Sequence, residues 1–493
     1  MTKETEVDKF NLLSFEGKMK TLHLSWVAFF ITFVVWFNFA PLLVAVKESL
    51  GLSSQEIKTL LILNVAFTIP ARVIVGMLTD KYGPRIVYSA LLAVCAIPCF
   101  AFALADTFTQ AAIARFALGL VGAGFVVGIR LVSEWFPHNE LGTAEGIYGG
   151  WGNFGSAAAK ISLPGLALLF GGEDGWRYAM GVTGVLSLFY AVVFFKNVSD
   201  TPKGATYYRP KSLSAMEVTS KADFFLLLIM KIPMYAALAL LVWKLSSGEI
   251  SLLTEGAALS IYGGLVLIYV YDCNNVYKVN KNIFVEEVPE IHRYKFKQVA
   301  VLNVLYFATF GSELAVISML ALFFLETFEL SPVAAGMVAA SYAFMNLMSR
   351  PGGGWLSDRF GRKPVLLILT TGLAVGYFAM GLIESSWPVW LAAVTAMACS
   401  FFVQAGEGAV FAAVPLIKRR MTGQIAGMTG AYGNVGAVVY LTILSMVDYS
   451  TFFFVISGTA VLGLGALLLM EEPEGHIAEV QEDGTVELIS VSN

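Results

Sequence analysis

Apolar residues run in long blocks along this chain, with charged residues confined almost entirely to the gaps. The blocks fall at Thr21–Val46, Ile57–Thr79, Arg85–Ala105, Phe108–Ser133, Leu141–Leu169, Trp176–Phe195, Phe224–Trp243, Leu252–Tyr271, Gln298–Phe323, Pro332–Leu356, Pro364–Ile383, Trp387–Leu416, Thr422–Met446 and Thr451–Met470. About 20 apolar residues wound as a helix span the hydrocarbon core of a bilayer, roughly 30 Å thick. Backbone that crosses lipid must satisfy its own hydrogen bonds, so each block is predicted to be helical. The pattern therefore predicts an all-α polytopic membrane protein with about fourteen transmembrane helices.

Composition agrees. Of 493 residues, 57% are hydrophobic and 14% charged, against about 25% charged in soluble domains. The net charge of −4 adds little, because the charges cluster in loops. Residues 1–20 lack the short apolar core and cleavage site of a signal peptide, so the first block is expected to remain as a helix. Lys and Arg crowd alternate loops: Lys81 and Arg85, Lys196–Lys221, Lys278–Lys297, Arg359 to Lys363, and Lys418 to Arg420. That asymmetry places those loops, and both termini, in the cytoplasm. Residues 471–493 form a polar tail, expected to be loosely ordered. The four histidines and four cysteines show no metal-ligand spacing. No phosphate-binding glycine loop or nucleophile constellation occurs, so no enzyme, metal or cofactor is expected, nor any nucleic-acid partner.

Two arginines break the apolar pattern. Arg72 lies in "PARVIVGMLTDKYGPR" and Arg350 in "MSRPGGGWLSDRFGRK", both inside apolar blocks. An arginine at the bilayer centre costs roughly 2.5–3.5 kcal/mol on insertion scales. The two stretches also match each other as R-x-x-x-G-x-x-x-D-x-x-G-x-[RK], 278 positions apart. A second pair, "GTAEGIYGGWGNFG" from Gly142 and "GQIAGMTGAYGNVG" from Gly423, repeats at an offset of 281. Two pairs at nearly one offset predict a duplicated six-helix unit. The halves are residues 21–200 and 298–470, and the central linker, 201–297, carries an inserted helix pair. Such duplicated carriers are expected to hold substrate at the midplane between the halves.

The doubled G-x-x-x-D-x-x-G-x-[RK] loop resembles the major facilitator superfamily. "GGWGNFG" at Gly149–Gly155 and "GAYGNVG" at Gly430–Gly436 resemble the paired signatures of its nitrate/nitrite porter family. "YFATFGSELAVISML" from Tyr306, "DTPKG" from Asp200 and "EGAVFAAVPLIKRR" from Glu407 are also similar to bacterial members. The resemblance implies a plasma-membrane carrier that moves nitrate, nitrite or both by alternating access, by proton symport or by nitrate/nitrite exchange. It implies substrate contacts for Arg72, Arg350, Asn153 and Asn434, extended here to Tyr306 and Phe310. It also implies gating roles for the loops that hold Asp80, Arg85, Asp358 and Lys363. Glu134, one helical turn beyond Arg130, is expected to join that network.

Depth estimates fit these roles. Arg72 and Arg350 each precede their loop aspartate by eight residues, roughly 12 Å of helix rise, which puts both near the midplane. Asn153 and Asn434 each lie twelve residues into their blocks and Tyr306 eight into its own, with Phe310 one turn further on the same face. A guanidinium is planar, permanently charged and matched to planar oxyanions. An empty pair of arginines carries +2, which calls for exchange with an obligatory anion or for a titratable carboxylate. Glu313 and Glu407 are the candidates, to carry a proton or to balance an arginine. Other readings stay open at this stage: arginines paired structurally with buried carboxylates, asparagines as interhelical glue, a carrier of another small anion, or a nitrate sensor on the same scaffold. The expected partners are nitrate, nitrite, protons and membrane lipid, with the protein a monomer.

Overall fold

The computed structural model describes residues 10–210, 212, 214–247, 253–473, 475–480 and 486–490. The first half comprises α1 (Gly17–Trp36), α2 (Leu43–Ser49), α3 (Ser54–Ala66), α4 (Thr68–Tyr82), α5 (Pro84–Ala103), α6 (Phe108–Leu118), α7 (Gly124–Trp135), α8 (His138–Asn153), α9 (Gly155–Phe170) and α10 (Gly175–Asn197). The connecting helices α11 (Lys221–Ser246) and α12 (Glu255–Asn280) follow. The second half comprises α13 (Phe296–Phe328), α14 (Pro332–Phe344), α15 (Asn346–Phe360), α16 (Arg362–Gly381), α17 (Val389–Ala413), α18 (Thr422–Leu444) and α19 (Tyr449–Leu467).

Among the described residues, eleven helical stretches are long and apolar enough to cross a membrane, against the fourteen expected. The three apolar blocks outside that set are helical too, but they carry Asn153, Arg350 and Asn434 with their surrounding glycines. The polar groups of the candidate site are what dilute their hydropathy. The tail departs from expectation. His476–Val480 (β1) and Val486–Ser490 (β2) pair antiparallel, with His476 opposite Ser490. The segments "HIAEV" and "VELIS" carry the β-branched residues Ile477, Val480, Val486 and Ile489, a composition that favours strands within a tail that is polar on average.

The duplication extends to the irregularities. Helix α3 breaks from α4 at Phe67, and α14 breaks from α15 at Met345, again 278 positions apart. Gly83 and Gly361 both take positive φ, 88° and 90°. Each ends one helix and begins the next at an angle that a side chain would strain. That accounts for the second glycine of the repeated loop motif.

The halves meet through two related contacts, α4 against α18 and α8 against α15. Glycines bring the backbones together. A Cβ on Gly427 would stand 2.6 Å from the Arg72 carbonyl oxygen, and one on Gly146 would stand 2.6 Å from that of Arg350. Close packing of small residues is how helices associate in lipid, where hydrophobic exclusion between them is absent.

Candidate functional site

The residues around the seam form two layers. The inner layer holds the arginines. Arg72 on α4 and Arg350 on α15 are fully buried, one from each half. Each stands five residues after its helix break; Arg72 bonds across the seam, and Arg350 bonds within its own half while facing the Phe125 ring of the other. Arg72 Nη1 donates to the Gly430 carbonyl at 2.6 Å, and its Nε donates to the Gly122 carbonyl at 3.1 Å. Gly122 lies in a 3₁₀ turn, Gly119–Ala123, between α6 and α7, where the loosened ladder leaves carbonyls free for other donors. Arg350 Nη1 meets Glu407 Oε2 on α17 at 2.5 Å, and its Nη2 donates to the Tyr306 hydroxyl at 3.1 Å.

Aromatic rings fill the space between the cations. The ring of Phe125 has Arg350 Cζ at 5.1 Å and Arg72 Cζ at 5.6 Å. Arg72 also lies 5.0 Å from the ring of Phe310 and 6.0 Å from that of Trp36. Tyr306 stacks on Phe310 at 5.1 Å and lies parallel to Phe125, with an interplanar angle of 1°. Ring faces carry partial negative charge, so three of them partly replace water around the dehydrated guanidinium of Arg72.

The signature glycines now have a steric purpose. A Cβ on Gly149 would lie 2.5 Å from Arg350 Nε, and one on Gly430 would lie 3.1 Å from Arg72 Cδ. Each arginine rests on the signature glycine of the opposite half, one turn before that signature's asparagine. Asn434 Nδ2 donates to the Gly430 carbonyl at 3.3 Å, so it shares an acceptor with Arg72. The Oδ1 atoms of Asn153 and Asn434 are buried without a hydrogen-bond partner. The structure thus draws Arg72, Arg350, Tyr306, Phe310, Asn434 and Glu407 together, with Asn153 one turn beyond Gly149, the glycine against Arg350. Glu313 joins them through Asn346 and Gln404, whose side-chain amides both donate to its Oε1.

The second layer lies about two turns away, on the Lys/Arg-rich face. Asp80 accepts from the amides of Gly423 at 2.8 Å and Gln424 at 2.7 Å, in the first turn of α18. Asp358 accepts from the amides of Gly142 at 2.9 Å and Thr143 at 2.7 Å on α8. Each aspartate therefore bonds the opposite half, and for Asp80 the helix dipole favours that placement. Arg130 pairs with Asp80 at 3.3 Å and with Glu134 at 2.7 Å. Glu134 also receives Arg419 of the second half at 3.0 Å. These bonds join the two halves on the Lys/Arg-rich face.

Arg85 and Lys363 act otherwise. Arg85 Nε donates to the Phe195 carbonyl of α10, and its backbone amide donates to Asp200 at 2.7 Å. Burial pushes the Asp200 carboxyl above its usual range, while that amide pulls the other way. Lys363 Nζ donates to the Met470 carbonyl, and its amide donates to Glu472 at 2.6 Å. Both bind the end of their own half's last helix and, among the described residues, make no bond across the seam. Spacing alone had not distinguished these basic residues from the aspartates. Phe125 was missed outright: it is one of 37 phenylalanines, and nothing local marks it.

Two related helical halves that close on a buried polar centre define a solute carrier. Comparison with known proteins agrees. The family model described as Major Facilitator Superfamily matches residues 25–274 and 302–491. Solved structures with this fold include the human organic anion transporter MFSD10, at TM-score 0.62 and 12% identity over 92% of this chain and 100% of that one. The proton:xylose symporter XylE aligns at TM-score 0.59 and 14% identity over 92% of this chain and 96% of that one. Sequence relatives are much nearer. The nitrate/nitrite transporter NrtP of Picosynechococcus sp. is 46% identical over 96% of both chains, and that of Nostoc punctiforme is 44% identical over 98% of both. A rice protein named high-affinity nitrate transporter 2.3 is 28% identical over 88% of this chain and 74% of its own. The chain belongs to the nitrate/nitrite porter family of the major facilitator superfamily.

Proposed function

We propose that this protein carries nitrate, nitrite or both across the plasma membrane by alternating access. The observation that supports it best is the meeting of Arg72 and Arg350, one from each half, around Phe125, Tyr306 and Phe310. A flat monovalent oxyanion suits that centre. Guanidinium groups bind planar oxygens edge-on, aromatic faces stack on a planar π-system, and Asn153 and Asn434 each sit one turn beyond the glycine that packs against the opposite half's arginine. Since each arginine lies on the other half's signature glycine, any rocking of the halves moves both cations relative to the anion.

The fold supports fourteen spans, with α11 and α12 as an inserted pair between six-span halves. Both termini lie in the cytoplasm, on the side of the Lys/Arg-rich loops. Asp80, Asp358 and Glu134 form the cytoplasmic gate, and Arg85 and Lys363 stiffen its mounting inside each half. One chain supplies both arginines, so a monomer surrounded by lipid suffices. The test is counterflow in proteoliposomes loaded with nitrate or nitrite. Labelled nitrate should enter against an equal internal pool, and a Phe125→Ala, Arg72→Ala or Arg350→Ala protein should not support this. Absence of counterflow with either anion in the unaltered protein would sink the reading.

A further inference from the structure

A cleft of about 700 Å³ lies between the connecting helices and the first half. Its walls are α11, α12 and the outer face of α4, where Val73, Met77, Leu238 and Ile268 are among the lining side chains. Its polar lining gathers toward the Lys/Arg-rich end. There Lys231 Nζ donates to Asp272 Oδ2 at 2.7 Å, and the Tyr235 hydroxyl donates to the same oxygen at 3.2 Å. Ionisable groups below the membrane surface are costly and mark sites of function. Lys231 is buried, and its ammonium has two protons beyond the one given to Asp272. One turn past the lining residues Met77 and Asn275 come Lys81 and Lys278, both exposed. Exposed Arg209 joins them, donating from Nε to the Lys81 carbonyl at 2.9 Å. An apolar cleft thus ends in three cations. Its depth is that of one leaflet. Val73 precedes Lys81 by eight residues and Ile268 precedes Lys278 by ten, roughly 12 and 15 Å of helix rise, and one leaflet holds about 15 Å of hydrocarbon. The cleft also crosses the seam. The Tyr432 hydroxyl of α18 donates to the Met230 carbonyl of α11 at 2.6 Å, which fixes α11 to the second half, whereas the facing wall, α4, belongs to the first.

We propose that this cleft binds one anionic phospholipid from the leaflet on the Lys/Arg-rich side. The phosphate lies among Lys81, Arg209 and Lys278, Lys231 donates to an ester carbonyl below it, and an acyl chain runs between Val73 on α4 and Ile268 on α12. Charge complementarity selects this occupant, since basic pockets between membrane helices on the cytoplasmic side take anionic headgroups. A soluble anion would leave the apolar depth unfilled, and an apolar molecule would leave the three cations unanswered. The bound lipid has a mechanical consequence. Opening at the Lys/Arg-rich face has to part α4 from α18, which Asp80 joins through the Gly423 amide. A lipid seated on α4 and α11 touches both halves and holds them at the separation seen here. That consequence rests on the alternating-access reading above, whereas the binding itself does not.

The experiment uses delipidated full-length protein in detergent, titrated with phosphatidylglycerol or with phosphatidylcholine of the same chains, and counts retained lipids by native mass spectrometry. One phosphatidylglycerol should be retained roughly tenfold or more in preference to phosphatidylcholine. The combined variant Lys81→Gln, Arg209→Gln, Lys278→Gln should lose that preference, and Ile268→Trp, which fills the cleft at acyl depth, should lose the retained lipid. No preference in the unaltered protein overturns the site, and this arm decides even if a variant fails to fold. Full retention in Ile268→Trp places the lipid outside the cleft and overturns it too, as does an undiminished preference in the triple variant. Spin labels on α4 and α18 at the Lys/Arg-rich face should report a closer, narrower distance when phosphatidylglycerol is added, and an unchanged distance would overturn the hold on the seam. Normal lipid retention in a protein without nitrate counterflow would sink the carrier reading and leave the lipid site standing.

Discussion

Arg350 is paired with Glu407 at 2.5 Å, whereas its duplicate, Arg72, is held by two carbonyl oxygens and three ring faces. The repeated sequence thus makes two unlike cations. Among the described residues Arg72 has no carboxylate within ion-pair distance, whereas Arg350 keeps a built-in anion.

That difference separates the effects of removing each arginine. Removing one partner of a buried ion pair costs about 3–5 kcal/mol, while replacing both with apolar groups of similar volume is often neutral. Arg350→Met should lower thermal stability in detergent clearly, and Arg350→Met with Glu407→Leu should recover most of it. Neither should transport. Arg72→Met removes a desolvated charge that has no carboxylate partner, so it should leave the melting temperature unchanged or raise it, again without transport. Thermal unfolding alongside nitrate counterflow checks both. A double variant no more stable than the single one would mean that the pair is not the main cost.

The signature glycines should not be equivalent. A methyl group at Gly149 meets Arg350 Nε at 2.5 Å, a distance that forces the guanidinium to move, whereas one at Gly430 meets Arg72 Cδ at 3.1 Å. Gly149→Ala is expected to raise the KM for nitrate on the order of tenfold or more, about 1.4 kcal/mol. Gly430→Ala should raise it only about two- to threefold, because the contacted methylene can shift by a few tenths of an ångström. Uptake kinetics at matched protein levels give the comparison. Equal effects would mean that the glycines serve helix packing rather than room for the arginines.

At the gate, the aspartates and the basic residues of one motif should separate. Asp80 and Asp358 bond across the seam, and Arg85 and Lys363 bond within their own halves. A hydrogen bond to a charged group contributes about 1.5–3 kcal/mol. Asp80→Asn or Asp358→Asn should therefore shift the balance toward opening on the Lys/Arg-rich face by roughly ten- to a hundredfold. Spin-label distances between α4 and α18 on that face would report the shift. Arg85→Ala and Lys363→Ala should leave those distances in place and lower the melting temperature instead.

What the sequence disclosed follows from which residues violate its pattern. Arg72, Arg350 and Glu407 were legible because a charge inside an apolar block costs free energy that something must offset. The duplication was legible because glycine and aspartate recur at one offset. Helix breaks at Phe67 and Met345 were not, since ordinary apolar residues occupy both. Phe125 was hidden for a related reason: an apolar ring in an apolar block violates nothing. Spacing also placed Asp80 and Arg85 in one loop without showing that their side chains serve different partners, because direction depends on packing.

Asn153 and Asn434 allow the sharpest test between structural and substrate roles. Each has a buried Oδ1 with no partner, and a buried polar atom left unbonded costs about 1–3 kcal/mol. Asparagines serving as interhelical glue would have those atoms bonded across helices. Instead, the Asn434 amide donates back to the Gly430 carbonyl on its own helix. Leucine has nearly the same size and carries no such cost. Asn153→Leu and Asn434→Leu should therefore melt at the same temperature as the unaltered protein or a few degrees higher, while nitrate counterflow falls at least tenfold. Stability gained as activity is lost is the expected mark of a group kept for its ligand. A drop of several degrees in either variant would return that asparagine to the role of glue, and unimpaired counterflow would remove it from the site.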